Sequence, residues 1–273
     1  MGEEFDVRVG GGRLHARRFG PPGRRLVIGI PGLTANLVSM ERLAEGVPMV
    51  ALDLRGRGQS EVTEPGTYGW ENHARDVLEF ARELGAPRFS IVGWSMGALV
   101  GMQAANLAPG RIERLVLIDA LGPVPPATAR AFEASVGRLG TVHPSVEAYV
   151  EGVKGLGLID PWDEMWERYF RYELREVEGG VTARTSRQAA EEDMAWERAH
   201  DAAALWPGLT MRVLLVRAAR PLLPGTETHV VTPESVERFR RERPDAEIVE
   251  VDANHYGIGI HPDTIAAIRR FFA

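Results

Sequence analysis

Apolar positions in this chain fall into short dense runs, broken by polar and glycine-rich stretches. Phe5 to Val9 and Arg13 to Phe19 flank Gly10-Gly11-Gly12 and read as a hairpin. Leu26 to Ile30, Met49 to Asp53, Phe89 to Trp94 and Leu115 to Asp119 are continuous apolar runs too short for helices, and they predict buried strands. Val213 to Val216 and Ile248 to Val251 add two more. Helical spacing fills the gaps. Trp70 to Leu84 sets Val77, Phe80 and Leu84 on one side, and Met96 to Leu107 is a helix of small residues. Thr232 with Pro233 opens a helix to Arg241, and Pro262 opens the last one to Phe272. Strand and helix alternate, which predicts an α/β fold: a mostly parallel sheet with right-handed crossovers and helices on both faces.

Between Leu121 and Leu209 the strand signals stop. Asp160 with Pro161 is expected to open a helix whose Trp162, Trp166, Phe170 and Leu174 recur every four residues. Thr185 and Gln188 form a candidate capping box for another. The predicted organisation is a core of residues 1–121 and 209–273, with a helical cap inserted at 122–208. The aromatic stripe is expected to pack on the core. A lining role in a substrate pocket is the lesser reading.

Composition narrows the function classes. The chain has 273 residues, 44% hydrophobic and 26% charged, which suffices for a sizeable core. A net charge of −6, with no basic stripe, argues against nucleic acid or an anionic membrane as partner. Cysteine is absent, so disulfides, thiolate chemistry and cysteine metal sites are excluded. The acidic start lacks the apolar run of a signal peptide, and no run approaches the ~20 residues a membrane span needs. A soluble cytoplasmic protein is expected, with a small molecule as substrate and a homodimer permitted.

Gly93-Trp94-Ser95-Met96-Gly97 matches G-x-S-x-G. Its context raises it above a chance match, because it follows a buried strand and precedes a helix. Such a turn lifts the Ser95 hydroxyl at the carboxyl edge of the sheet, where the following helix N-terminus favours negative charge. The competing reading is an ordinary glycine-flanked strand-to-helix turn. A serine hydroxyl also needs a base. Of the seven histidines, His255 follows the final strand, while His261 at the start of the last helix reads as a capping residue.

At these residues the chain resembles the α/β-hydrolase family. The resemblance includes Pro31-Gly32-Leu33-Thr34, Asp53-Leu54-Arg55-Gly56-Arg57-Gly58-Gln59-Ser60, the serine turn, and Asn254-His255-Tyr256 before Pro262. It implies Ser95 as nucleophile, His255 as base, and the backbone N–H groups of Leu33 and Met96 as oxyanion hole. The family usually has His-Gly where this chain has Pro31-Gly32. Its third triad member most often lies in a loop that here runs Arg217 to Pro224 and holds no carboxylate. A subset of the family draws the acid from the end of the strand after the nucleophile helix, which points to Asp119. Glu227 is the alternative, and a strand-end Asp bonded only to local backbone is the structural one. Asp53 and Arg55 are read as loop braces.

The implied activity is hydrolysis of a small or medium apolar carboxylic ester, with no cofactor and no metal. Lactone, amide and C–C-bond hydrolysis stay open on the same residues. So does a ligand-binding protein with little or no turnover, and a cofactor-free reaction that is not hydrolytic. Serine in the turn argues against dehalogenase and epoxide hydrolase chemistry, since those relatives use Asp there.

Overall fold

The computed structural model describes residues 2–23 and 25–273. Its core strands are β1 (Glu4–Val9), β2 (Gly12–Phe19), β3 (Val27–Ile30), β4 (Met49–Leu52), β5 (Phe89–Trp94) and β6 (Ile112–Ile118). The chain then makes a separate hairpin, β7 (Leu174–Val177) and β8 (Gly180–Ala183), before returning with β9 (Arg212–Ala218) and β10 (Glu247–Val251). The eight-stranded sheet has the order β1-β2-β4-β3-β5-β6-β9-β10. β1, β2 and β4 pair antiparallel, and every pair from β4 to β10 is parallel. The predicted sheet is therefore present, with strand ends shifted by three residues at most.

β3, β4 and β5 are buried at every position because helices cover both faces. Alternation along each strand divides the core into two layers. Ile91 and Leu115 pack with Val77 and Phe80 of α1 (Trp70–Glu83), and with Met102 of α2 (Met96–Leu107). Val92, Val116 and Leu214 face the other way, toward residues 37–49 and Ile268 and Phe271 near the C-terminus.

The segment between β6 and β9 holds α3 (Pro126–Gly137), α4 (Val146–Gly155), α5 (Glu164–Glu173) and α6 (Arg187–Ala199). Beyond β9 come α7 (Pro233–Glu242) and α8 (Pro262–Phe272). Three sequence expectations are corrected here. The inserted segment is not purely helical, because Leu174 leaves the aromatic stripe to start β7; strands of four residues are too short to show a period against helical neighbours. α5 starts after Asp163, whose side chain accepts a bond from the Met165 N–H at 2.7 Å, so Asp160 and Pro161 lie outside it. α6 is capped by Ser186, which accepts from the Ala189 N–H; Thr185 donates instead to the Thr34 carbonyl, and Gln188 to Glu192. The cap preference was read correctly and placed one residue early.

Polar bonds tie this segment to the loops at the carboxyl edge of the sheet. The Asn36 side chain donates to the Tyr169 carbonyl, Tyr172 OH to Asp53 Oδ2, and Asn254 to the Leu158 carbonyl. The most enclosed tie is an ion pair between Arg57 and Asp193 of α6, at 2.5 Å, with both side chains fully buried. His73 Nε2 lies 3.0 Å from the same carboxylate. Burial alone would push the Asp193 carboxyl up, but His73, Arg57 and the Gly69 N–H together hold it well below the usual carboxylate range. Asp193→Ala should cost about 3–5 kcal/mol, because it leaves the Arg57 guanidinium buried without its partner. A urea titration reads this as a lower midpoint; a loss under about 1 kcal/mol would show the pair to be dispensable.

Candidate active site

β5 ends at Trp94, α2 begins at Met96, and Ser95 between them has φ 55° and ψ −127°. A side chain at positive φ is strained by roughly 1–3 kcal/mol, so the surroundings must hold it. They do so through backbone packing. A Cβ added at Gly97 would sit 2.0 Å from the Ile30 carbonyl oxygen and 2.6 Å from that of Pro31. One added at Gly93 would sit 2.4 Å from the Gly97 oxygen. The Ser95 N–H donates to the Ile118 carbonyl at 2.9 Å, and the Ser95 carbonyl accepts from the Ala98 N–H at 2.8 Å.

β6 lies beside β5, with Trp94 opposite Ile118, so Asp119 follows directly at the next strand tip. Asp119 is also at positive φ, 45°. Its N–H donates to the Val216 carbonyl, and its Oδ1 accepts from the Ala218 N–H at 3.0 Å. Its Oδ2 lies 2.8 Å from His255 Nδ1. Asp119 is 1% exposed and His255 6%. An ionised carboxylate only accepts, so it selects the tautomer with the proton on Nδ1 and leaves Nε2 free to take one. Glu227, by contrast, sits on an exposed stretch of loop. The expected pairing of His255 with Asp119 is thus present in the geometry, although a strand-end Asp bonded only to backbone had been the plain competitor.

The loop carrying His255 is held by Asn254, whose Oδ1 accepts from the N–H groups of Tyr256 and Gly257. The imidazole is flanked by Phe132, Tyr256 and Trp94, with ring centroids 5.9, 5.9 and 6.3 Å away. His261 is the N-cap of α8, as read from its position.

Gly32 passes directly over the serine. A Cβ there would lie 3.1 Å from Ser95 Cβ and 3.6 Å from its Oγ. The next residue, Leu33, has its carbonyl held by Arg57 Nε at 2.9 Å, the same arginine that pairs with Asp193. Met96 is the first residue of α2, so its N–H has no intrahelical partner. Leu33 and Met96 both border a cavity of about 30 Å³ together with Ser95, Phe132 and Glu197. Asp53 and Arg55 brace the loops. Asp53 accepts from the Leu37 and Gln59 N–H groups, and Arg55 pairs with Asp76 at 2.5–2.6 Å. Arg57 is the residue that sequence reasoning missed. Its partner is 136 positions away, and no local pattern marks such a pair.

On its other side Ser95 borders a larger cavity of about 120 Å³, shared with His255, Phe132, Trp166 and Phe170. Trp166 and Phe170 pack on the core, as expected of the aromatic stripe, and also line this cavity, while Trp162 stacks on Phe170. Among the polar groups of this largely apolar lining are Glu173, Tyr149 and Arg138, none of them marked by a sequence motif. Burial pushes the Glu173 carboxyl up to about 7, against the opposing pull of the Tyr149 hydroxyl and Arg138. Among the described residues, no group of three or more His, Asp or Glu side chains comes together as a metal site would need. Among them too, no helix is long and apolar enough to cross a membrane.

A family model described as alpha/beta hydrolase fold matches residues 25–262. The chain belongs to the α/β-hydrolase family. This family member is 27% identical over 252 residues to 2-(acetamidomethylene)succinate hydrolase of Mesorhizobium japonicum, covering 90% of this chain and 87% of that one. It is 31% identical over 154 residues to N-formylmaleamate deformylase of Pseudomonas putida, covering 55% of each. The chain spans about half the length, 42–55%, of the deformylase and two other curated relatives it matches. A crystal structure of E-2-(acetamidomethylene)succinate hydrolase superposes with a TM-score of 0.88 at 25% identity, over 100% of this chain and 99% of that one.

The packing of the serine turn makes a direct prediction. Gly97→Ala should cost at least about 3 kcal/mol, because both atoms its Cβ would strike are backbone. Thermal unfolding measures it, and an unshifted midpoint would mean that the turn is looser than its contacts imply.

Proposed function

We propose that this protein is a serine hydrolase that cleaves small, largely apolar carboxylic esters by acyl transfer through Ser95. One observation carries the reading: an imidazole bonded at 2.8 Å to a buried carboxylate borders the same cavity as a serine held at positive φ. In this reading His255 Nε2 takes the proton as Ser95 Oγ attacks the carbonyl carbon. Asp119 keeps the imidazole in the needed tautomer and stabilises the imidazolium. The oxyanion rests on the N–H groups of Leu33 and Met96, each worth about 3 kcal/mol of barrier in comparable sites. His255 then protonates the leaving group, activates water by the same route, and the acyl-enzyme is hydrolysed. The segment 122–208 acts as the cap that supplies the apolar wall of the chamber.

A second reading concerns the bond cleaved. The names of both relatives specify an acylated nitrogen, N-formyl in one and acetamido in the other, which favours amides as an alternative substrate class. The same residues serve, with an amine leaving in place of an alcohol. The motive for a non-catalytic reading was the missing carboxylate in the loop from Arg217 to Pro224, and it weakens once Asp119 serves the imidazole.

Mixing the protein with p-nitrophenyl esters should release a burst of p-nitrophenol, and a fluorophosphonate should label Ser95. Ser95→Ala should lose both while unfolding at a similar temperature; activity retained in that variant would overturn the assignment. Asp119→Asn should lower kcat by roughly 10⁴-fold, because the amide favours the wrong tautomer. A loss below about tenfold would leave Asp119 a purely structural group.

A further inference from the structure

Glu173 is the last residue of α5, 6% exposed, and lines the cavity beside Trp166, Phe170 and Val153. Its carboxyl is given one hydrogen bond, from the Tyr149 hydroxyl on α4 at 3.1 Å. Among the described residues it has no ion pair. Arg138, whose charge draws the Glu173 carboxyl down, also borders the cavity, but it is exposed and donates to Ser135 Oγ. A buried acid with one hydrogen bond and no ion-pair partner costs stability. An acid kept in such a place, with one oxygen anchored and the chamber in front of it, is suited to accept a hydrogen bond from whatever fills the chamber.

We infer that Glu173, oriented by Tyr149, is the specificity-determining group of the chamber and accepts a hydrogen bond from a donor on the acyl part of the substrate. The donor is a hydroxyl, an amide N–H or an ammonium. The inference rests on the reading of the Ser95 chamber as the active site.

The test compares isosteric esters: p-nitrophenyl heptanoate, ω-hydroxyhexanoate and ω-aminohexanoate. The readout is the ratio of kcat/KM for each donor-bearing ester to that for heptanoate. In Glu173→Leu at least one ratio should fall about tenfold, mainly through KM, as expected for loss of one hydrogen bond to a charged or polarised acceptor. Tyr149→Phe should lower the same ratio by a smaller factor. A strut that merely joins α4 to α5 would change all three esters alike. Ratios unchanged in both variants would overturn the inference. Should Glu173→Leu fail to fold, Glu173→Gln, which matches the native side chain in size, decides on the ammonium ester, whose ratio should fall as the charge is lost. The same ratios are read as Kd on Ser95→Ala, where no turnover occurs. Recognition by Glu173 therefore stands or falls there even if the wild-type protein cleaves none of these esters.

Discussion

A side chain held at φ 55° between a strand and a helix is the constraint on which the rest of this molecule depends. No local preference puts serine there, because a Cβ at positive φ meets its own backbone. The conformation persists because β3, β5 and α2 approach so closely that Gly93 and Gly97 have no room for side chains. That approach needs the parallel register that sets Ile30 beside Gly93 and Trp94 beside Ile118. The same register brings Asp119 to the neighbouring strand tip. The fold and the candidate site are two consequences of one packing arrangement.

A second tier of polar contacts keeps the loops above that turn in place. Arg57 joins the Leu33 carbonyl, at the proposed oxyanion loop, to Asp193 in the inserted segment. Asp53 bonds to Leu37, Gln59 and Tyr172, and Asn254 bonds to Leu158. Each of these side chains reaches between the core and the insertion, or between two loops of the core. Buried polar groups satisfied in this way specify one arrangement of loops, whereas apolar contacts alone would tolerate several. The chamber beside Ser95 has its shape because the segment from α3 to α6 is tied down at these points.

Much of the sheet was legible because its central strands are buried on both faces and read as short apolar runs. Phe89–Trp94, Met96–Leu107 and Pro262–Phe272 have the bounds that pattern alone suggests. The serine turn was legible because its chemistry needs small residues at fixed spacing within one continuous stretch. The inserted segment was less so. Its hairpin from Leu174 to Ala183 is short, and the Ser186 cap competes with Thr185 next to it. The aromatic stripe on α5 showed which residues are apolar, yet not whether their neighbour is protein or a cavity. Trp166 and Phe170 meet both.

Sequence by itself determined the strand–helix alternation, the turn that carries Ser95, and the position of His255 just beyond the last strand. Each is encoded in neighbouring residues, where periodicity and steric demand act over a few positions. Only the tertiary structure decided that Asp119 and not Glu227 meets the imidazole, that Arg57 holds the Leu33 carbonyl, and that Glu173 faces the chamber. Those outcomes join residues tens to more than a hundred positions apart. They depend on strand order and on how the inserted segment docks, neither of which any local stretch of the chain contains.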